Sequence, residues 1–388
     1  MFKRLKNRTP LGWLQLKHDK LRLLTALSGI AFADILIFMQ LGFMNALYTT
    51  NTQYPRKVKG DVILTSTQAT NFNKPYTFPR RRLYQAMDIP GVESAEPIYI
   101  ASVGWRNPQN REKTSMTVIG FDPDKPAFDL PEVNQQLDRV KIPDTVLFDK
   151  ASRGEYDRVI AQIEEGTTVT TEIERTTVTI GGLFSVGASF ADDGALITSE
   201  QNFMRLFPRK QPGMVSIGVV DLAEGTDAER VRAALNAYLP EDVKAYTYDE
   251  YVDAEVTYIQ SSTAIGFVFT LGTMMGFIVG IVIVYQVLST DVNDHMAEYA
   301  TFKAMGYKNS YLLGIVFEEA IILSFIGFVP SVAIAIGLYQ LTAAATALPI
   351  FLPASRAITV FILTLIMCSI SGAIATRKLQ SADPADIF

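Results

Sequence analysis

Four long apolar runs dominate the pattern of hydrophobic and polar positions along the chain. They cover residues 23–48, 264–288, 312–340 and 357–375. An α-helix rises about 1.5 Å per residue, so about 20 apolar residues are enough to cross the hydrocarbon core of a bilayer. Each run has about that length. The pattern therefore predicts four transmembrane helices and excludes a single-domain soluble enzyme.

The 212 residues between the first two runs, 49–260, have a different pattern. Short stretches rich in β-branched and aromatic residues alternate with two stretches of helical periodicity, 80–87 and 227–238. Alternating strands and helices are typical of mixed α/β domains. The predicted fold class is an α-helical membrane protein with four transmembrane helices plus a large α/β (α+β) periplasmic domain between helices 1 and 2.

Composition changes inside this large domain. Its middle part, about 141–210, is rich in Thr and in turn residues, which predicts a β-rich subdomain. We expect it to be inserted in an α/β subdomain formed by about 55–140 and 211–250. The last stretch, 249–262, is polar but lacks Gly and Pro, which predicts a helical stalk that runs into the second span.

Charge is distributed unevenly, and its distribution predicts the orientation. Residues 1–22 carry seven Lys and Arg against one Asp, whereas residues 49–260 carry 23 Lys and Arg against 31 Asp and Glu. Basic segments beside a span stay in the cytoplasm, while long domains cross largely regardless of charge. The predicted cytoplasmic segments are 1–22, 289–311 and 376–388, and the predicted periplasmic segments are 49–260 and 341–356. The first run is longer than the ~7–15 apolar residues of a signal peptide, so we expect it to be retained.

Motifs for enzymatic chemistry are absent from the sequence. It contains neither a phosphate-binding loop ending in Gly-Lys-Ser/Thr nor a Rossmann glycine fingerprint. The only histidines, His18 and His295, fall on the predicted cytoplasmic side, and the only cysteine is Cys368 in the fourth run. Asp192 and Asp193 precede a glycine and are expected to lie in a solvated loop. We predict no catalytic residue, metal ligand or cofactor site in this chain.

Three glycines share one face of the second predicted span. Gly272, Gly276 and Gly280 follow one another at intervals of four residues, and this spacing lets another helix approach closely. We predict a helix-packing face. Its partner is a helix of the same chain or of a second copy, and the spacing does not distinguish the two.

Four polar residues lie inside predicted spans. Asp34 and Asn45 are eleven residues apart, which places them about 20° from each other around a helix, so both should face protein. An ionisable group inside a membrane is costly, so we expect Asp34 to make a polar packing contact; a proton or substrate contact is the functional alternative. Of Glu318 and Glu319, one is expected to point to the cytoplasmic interface and the other to bond across helices.

The segment between the second and third runs is longer than a connector needs to be. Residues 296–305 contain neither Gly nor Pro and place apolar residues at helical spacing, and Gly306 follows as a stop signal. This predicts a short amphipathic helix at the cytoplasmic surface, which either binds a partner or merely anchors the loop.

The same segment carries a recognisable run, Glu-Tyr-Ala-Thr-Phe-Lys-Ala-Met-Gly at 298–306, followed by Glu318 and Glu319. A basic tail contains Arg377-Lys378 and Pro384-Ala385. Together with four spans and a large domain between the first two, these residues resemble the FtsX-like, MacB-type permeases of ABC transporters. The run Val-Leu-Phe-Asp-Lys-Ala-Ser-Arg-Gly-Glu-Tyr at 146–156 is similar to the cyanobacterial DevC type.

The resemblance implies partners and a mechanism. Two copies would form a homodimer, and a separate ABC ATPase subunit similar to DevA or to the ATPase of MacB would bind ATP and Mg, with no cofactor in this chain. ATP-driven motion would pass to the periplasmic domain and drive export through a periplasmic adaptor similar to DevB or MacA and a TolC-like outer-membrane channel. Glu298, Lys303 and Gly306 would couple the ATPase. The implied location is the lipid bilayer of a bacterial (cyanobacterial) inner membrane, with no nucleic-acid partner.

Two other functions stay open at this point. One is a mechanotransmitter, similar to FtsX or to the Lol permeases, that activates a periplasmic enzyme or extracts lipoproteins. The other is a membrane receptor without an ATPase. The sequence does not determine the cargo, whether glycolipid, peptide or small molecule.

Overall fold

The computed structural model describes residues 20–211, 213–262 and 264–376. These residues form two compact units. The first, which we call the mixed unit, is Ala46–Gly266 together with Ala344–Pro349. The second, the helical unit, holds the rest of the described chain. Most of the predicted cytoplasmic segments 1–22 and 376–388, with the basic tail that enters the family resemblance, lies outside the described residues.

The described elements follow in chain order. The helices are α1 (Lys20–Thr52), α2 (Arg81–Ala86), α3 (Pro131–Asn134), α4 (Leu137–Val140), α5 (Asp157–Glu164), α6 (Glu200–Leu206), α7 (Ala228–Tyr238), α8 (Tyr248–Ser262), α9 (Ala264–Asp294), α10 (Met296–Ala304), α11 (Asn309–Thr346) and α12 (Ala354–Ala375). The strands are β1 (Val62–Ser66), β2 (Phe78–Pro79), β3 (Val92–Arg106), β4 (Lys113–Phe121), β5 (Thr145–Asp149), β6 (Val169–Ile173), β7 (Thr176–Phe184), β8 (Ala195–Ser199), β9 (Met214–Val215), β10 (Ile217–Leu222) and β11 (Val243–Thr247).

Four of these helices, α1, α9, α11 and α12, are long and apolar enough to cross a membrane. Each contains the corresponding run that the sequence predicts as a span, and the strands and short helices of the mixed unit come between α1 and α9. The predicted fold class is therefore confirmed. The helix α8 occupies the stretch that the sequence predicts as a stalk.

The outward faces of these helices are apolar as well as the inward ones. On α12 every fourth residue is an exposed isoleucine, namely Ile358, Ile362, Ile366, Ile370 and Ile374. A helix that is apolar all round is typical of a membrane span, because lipid covers the faces that other helices do not.

The helices α1 and α9 pack against each other in antiparallel orientation. Gly29 faces Ile283 near one end, and the rings of Phe43 and Phe269 stack with their centroids 5.7 Å apart towards the other. Residues later in α1 contact residues earlier in α9, and the spacing between successive contacts is about the same on both helices. The interior is filled by small and aliphatic residues, among them Ala26, Ile30, Ala33, Val284, Leu288, Ala320, Leu323 and Met367.

Within the described residues, one sheet of nine strands runs through the mixed unit in the order β11-β1-β10-β3-β4-β8-β5-β7-β6. The 15-residue strand β3 joins its two halves, because it pairs with β10 up to Ile98 and with β4 from Tyr99 onwards. At its far end Trp105 pairs with Ile173 of β6. The strands from β3 to β6 therefore curl until the last one meets the first.

Two apolar clusters form the core of the mixed unit. One contains Trp105 and Phe148, whose rings stack with centroids 5.7 Å apart, and the other contains Phe121 and Phe128. Strands from the stretch 141–210 and from its flanks belong to the same sheet. The predicted division into an inserted and an interrupted subdomain stays a prediction.

The prediction of a solvated loop is wrong for Asp192. This side chain is only 7% exposed, and its carboxylate accepts hydrogen bonds from three hydroxyl groups. Ser102 and Ser115 donate to Oδ1 at 2.7 and 2.5 Å, and Thr117 donates to Oδ2 at 2.7 Å. The donors lie on β3 and β4, far away in sequence, which is why the local turn pattern missed them. Hydrogen bonds to an ionised group compensate the loss of solvation.

The neighbouring Asp193 fixes an arginine that holds the segment Ala344–Pro349 in the mixed unit. Arg153 forms an ion pair with Asp193 at 2.8 Å, and its Nε donates to the carbonyl oxygen of Thr346 at 2.7 Å. A second guanidinium nitrogen donates to the carbonyl oxygen of Ser189 at 3.1 Å. One planar side chain thus joins three separate stretches of chain.

A cavity of about 50 Å³ near the helix α8 contains a buried carboxyl group. Glu255 is 5% exposed, and no hydrogen-bond partner of its Oε2 atom is found among the described residues. The side chain of Tyr251 lines the same cavity. Burial raises the pKa of Glu255 from its ordinary value of 4.5 to about 7.

This raised pKa makes the stability of the mixed unit depend on pH. The carboxyl group of Glu255 binds its proton more tightly in the folded state than in the unfolded state. Its contribution to the free energy of unfolding is therefore complete below about pH 4.5 and is lost as the pH rises through about 7. We expect Glu255→Gln to remove this loss and to stabilise the protein at pH 8 by about 3 kcal/mol. Thermal unfolding of the solubilised protein at pH 5.5 and pH 8 measures the effect.

The exposed Asp253 on the same helix supplies the matched control. Asp253→Asn should leave the difference between the two pH values as it is in the wild type. An unaltered pH dependence in Glu255→Gln would show that this carboxyl group is not its source.

Candidate functional site

The short helix α10 lies between α9 and α11, where the sequence predicts an amphipathic helix. Its buried residue Tyr299 packs with Val292 of α9 and with Leu312, Ile315 and Val316 of α11. The helix is therefore attached to both of its neighbours through one apolar cluster. The cluster thus connects α10 to the end of α9 and to the start of α11.

The opposite face of α10 is exposed. Glu298 lies on it, and Lys303 is half-buried at its edge. Directly after the helix, Met305 is 60% exposed and Tyr307 is 45% exposed. Large apolar side chains beside charged ones form a surface that suits contact with another protein.

Gly306 ends this helix in a conformation that other residues adopt only with strain. Its φ is +87°, in the left-handed region that favours glycine. The N–H of Gly306 donates to the carbonyl oxygen of Lys303 at 2.9 Å, and the N–H of Tyr307 donates to that of Phe302 at 3.1 Å. These two bonds form a Schellman motif. A Cβ atom on Gly306 would meet nothing within 4 Å, so its backbone angle and not space demands glycine here.

A group of charged side chains, which we call the basal cluster, lies at the same end of the helical unit. It consists of Arg22, Asp291, Asp294 and Glu319. Arg22 of α1 forms an ion pair with Asp291 of α9 at 2.9 Å and a second one with Asp294. Asp291 is almost completely buried, with 2% of its side chain exposed. The cluster therefore joins the first residues of α1 to the last residues of α9.

Glu319 adds a third helix to this cluster. It is 1% exposed, and its carboxylate lies beside Asp291 and within electrostatic reach of Arg22. Its neighbour Glu318 is half-buried. The two glutamates thus differ in environment, as the sequence predicts, and the role of each stays a prediction. The basal cluster holds three carboxylates against one guanidinium.

Asp34 lies inside the helical unit and is fully buried. Its Oδ1 atom accepts a hydrogen bond from the hydroxyl of Thr364 on α12 at 2.7 Å, and Ser331 of α11 lies beside the same carboxylate. Asn45, on the same helix as Asp34, is half-buried. The contacts of Asp34 agree with a polar packing role, and a role in moving a proton or substrate stays a prediction.

The three glycines of α9 face α1 of the same chain. A Cβ atom on Gly276 would lie 3.2 Å from Cγ1 of Ile37. One on Gly280 would collide with the sulfur of Met367 on α12 and would lie 2.9 Å from Cβ of Ala33. Gly272 faces the side chain of Gln40 in the same way. The glycines thus contact helices of the same chain, and packing against a second copy stays a prediction.

The contacts of the charged residues at the base of this unit are not apparent from the sequence. Arg22 belongs to the basic segment 1–22, and Asp291 and Asp294 fall in the predicted cytoplasmic segment 289–311. The available signal was their spacing, because Asp291 and Asp294 are three residues apart and share a helix face. Among the described residues, no group of three His, Cys, Asp or Glu side chains is arranged to hold a metal ion.

The architecture is that of a polytopic membrane protein with a large mixed domain inserted after its first span. Residues 264–384 match the profile of a family described as FtsX-like permease C-terminal. The part of the chain that contains α9 to α12 is therefore similar to the C-terminal domain of FtsX-like permeases. No curated protein matches the chain.

Among the solved structures that resemble the chain are two of low sequence identity. The periplasmic region of MacB from Actinobacillus actinomycetemcomitans is 10% identical, with a TM-score of 0.35, over 54% of this chain and 96% of that one. The extracellular domain of the noncanonic ABC-type transporter YknZ from Gram-positive bacteria is 14% identical, with a TM-score of 0.32, over 48% of this chain and 98% of that one.

The close contact between α1 and α9 can be tested at Gly276. We expect Gly276→Leu to force the two helices apart, because its side chain would collide with Ile37, and to destabilise the helical unit by about 1–3 kcal/mol. Thermal unfolding in detergent measures the loss. Gly337→Leu on α11 is the control, since a Cβ atom there meets nothing within 4 Å. Equal stability of the two variants would contradict the packing.

The basal cluster can be tested at Arg22. We expect Arg22→Ala to leave buried carboxylates without their cation and to destabilise the helical unit by about 3 kcal/mol. Combining it with Asp291→Asn should restore part of the stability, because one buried charge is then removed. The exposed Lys20, two residues away, is the control. If Lys20→Ala and Arg22→Ala unfold at the same temperature, the ion pairs contribute nothing.

Proposed function

We propose that the chain is the permease subunit of an ABC transporter, and that a separate ATPase binds the outward face of α10. One observation carries the proposal: α10 is packed on α9 and α11 by one face, ends in a fixed glycine turn, and exposes its other face. The similarity of residues 264–384 to the C-terminal domain of FtsX-like permeases supports it. Glu298, Lys303 and Gly306 are the proposed coupling residues.

The source of energy in this proposal is a partner protein. The sequence has no phosphate-binding loop of its own, so ATP and Mg bind to the ATPase subunit. Movement of the ATPase displaces α10. Because Tyr299 is packed on both α9 and α11, the displacement reaches both spans at once. The buried ion pair between Arg22 and Asp291 carries it on to α1.

The complete transporter in this proposal has further parts. Two copies of the chain form a homodimer in the inner membrane, with the mixed unit in the periplasm, a periplasmic adaptor, and a TolC-like channel in the outer membrane. The excess of Lys and Arg in residues 1–22 supports this orientation. The cargo travels outside the helical unit, whose closely packed apolar interior favours this route over a path between the helices.

The ATPase interface is tested by co-purification from native membranes, with identification of the bound proteins. We expect an ABC ATPase to be recovered with the wild-type chain, and Gly306→Val to reduce its recovery. A β-branched residue at φ +87° costs about 1–2 kcal/mol and would change the exit of the chain from α10. Glu298→Gln, which removes a charge from the exposed face, should weaken the same complex.

The control is Gly314→Val. Gly314 lies in α11 without a positive φ, and a Cβ atom there meets nothing within 4 Å. This control distinguishes the effect of placing valine at a positive φ from the effect of replacing any glycine with valine. Wild-type recovery of the ATPase by both Gly306→Val and Glu298→Gln would refute the assignment of α10. An adaptor among the bound proteins supports export, whereas a periplasmic hydrolase in its place supports the mechanotransmitter.

A further inference from the structure

One edge of strand β3 is open for a few residues in the middle of the mixed unit. On this side β3 pairs with β10 up to Ile98 and with β6 only at Trp105. In between, the N–H of Ile100 donates to the hydroxyl of Ser216 at 3.0 Å. Backbone groups two residues apart in a strand point to the same side. The N–H and C=O of Ser102 therefore point to the same open side as those of Ile100.

A cleft of about 550 Å³ lies along this open edge. It is bounded by β3, by the turn between β6 and β7, and by the segment that follows α6. The apolar side chains that line it are Val103, Leu206 and Phe207. The charged side chains that line it are Glu174, Arg175, Arg209 and Lys210. Its volume lies within the range of about 300–1,000 Å³ that is common for sites of small ligands.

The charge of the cleft is opposite to that of the domain around it. Three cations face one carboxylate in the cleft, whereas residues 49–260 as a whole carry 23 Lys and Arg against 31 Asp and Glu. A cleft of one charge sign with apolar walls attracts ligands of the opposite sign.

The three cations differ in what they already bind. The ammonium group of Lys210 donates to the carbonyl oxygen of Ile100 at 2.8 Å and lies 5.5 Å from the centroid of the Phe203 ring. Arg175 and Arg209 are exposed, and among the described residues neither guanidinium has a hydrogen bond or an ion pair. Lys210 thus fills part of the open edge, and two guanidinium groups beside it are available for a ligand.

The turn that carries Arg175 is held in a strained conformation. Glu174, the residue before it, has a φ of +55°, which is uncommon for a residue other than glycine. Glu174 and Arg175 form the two-residue turn between β6 and β7, and such turns have a positive φ at their first residue. The pairing of β6 with β7 therefore fixes the position of Arg175 at the cleft.

We propose that this cleft binds an amphiphilic anion. A phosphate or carboxylate group lies between Arg175 and Arg209, and the apolar part of the ligand covers Val103, Leu206 and Phe207. Guanidinium groups bind both kinds of anion through paired, charge-assisted hydrogen bonds. The same chemistry is present in the headgroup of an acidic lipid and in a soluble organic acid or phosphate ester.

The test uses the full-length protein in phosphatidylcholine nanodiscs and isothermal titration calorimetry, with empty nanodiscs as the blank. The probes are hexyl phosphate, inorganic phosphate and hexyltrimethylammonium. We expect saturable binding of hexyl phosphate, at least about tenfold tighter than that of inorganic phosphate because the alkyl chain leaves water. The cationic probe should not bind. Equal affinity for the two phosphates, or binding of the cation, would overturn the proposal.

Variants of the residues that line the cleft distinguish binding of hexyl phosphate in the cleft from its binding elsewhere on the protein. We expect Arg175→Gln combined with Arg209→Gln to weaken hexyl phosphate at least about tenfold, since two charge-assisted contacts are lost. Glu174→Gln should tighten it, because it removes the one opposing charge. The control is Arg230→Gln, an exposed arginine on α7, which should have no effect. Unchanged affinity in the double variant would refute the site.

The source of the natural ligand is distinguished by native mass spectrometry of the detergent-solubilised protein. An acidic lipid that is bound to the wild type and absent from the Arg175→Gln, Arg209→Gln variant assigns the cleft to a lipid headgroup. Specific binding of hexyl phosphate without such a lipid assigns it to a soluble amphiphile. Neither readout involves the ATPase, so failure here leaves the proposal for α10 intact, and the reverse also holds.

Discussion

The close approach of α1 and α9 is the constraint on which the helical unit depends. More than two hundred residues separate these helices in sequence, yet they pack along most of their length, with Gly276 against Ile37 and Gly280 against Ala33. Lipid offers no hydrophobic force to drive helices together, so association rests on close packing and on polar contacts. Glycine provides the packing here, because it removes the side chain at the point of contact.

The register of this pair also decides which polar groups meet. Because the helices are antiparallel, the beginning of α1 lies next to the end of α9, and Arg22 comes within 2.9 Å of Asp291. Deeper in the unit, Asp34 is brought to the hydroxyl of Thr364 at 2.7 Å. A polar group in an apolar medium is costly unless it has such partners. A shift of one helix relative to the other would therefore separate the charged pairs as well as the packed surfaces.

The sequence predicts features that depend on residues close together in the chain. It does not predict contacts between residues that are far apart in the chain. The four spans, the glycine face and the stop at Gly306 are visible because each depends on periodicity or on a single backbone angle. The environment of Asp192 is not visible, because its donors Ser102, Ser115 and Thr117 come from β3 and β4. The same holds for Arg22, whose partners Asp291 and Asp294 lie 269 and 272 residues further along the chain.

The order of elements around α10 explains how a small surface could act on a large protein. Leu312 and Ile315, which hold Tyr299, lie on the first turns of α11, and Glu319 follows one turn later. One helix therefore carries both the contact with α10 and a member of the basal cluster. In the proposed transporter, α11 therefore links the surface on α10 to the buried charged groups that join α1, α9 and α11. The packing of Tyr299 and the Schellman turn at Gly306 fix the position of that surface relative to α11.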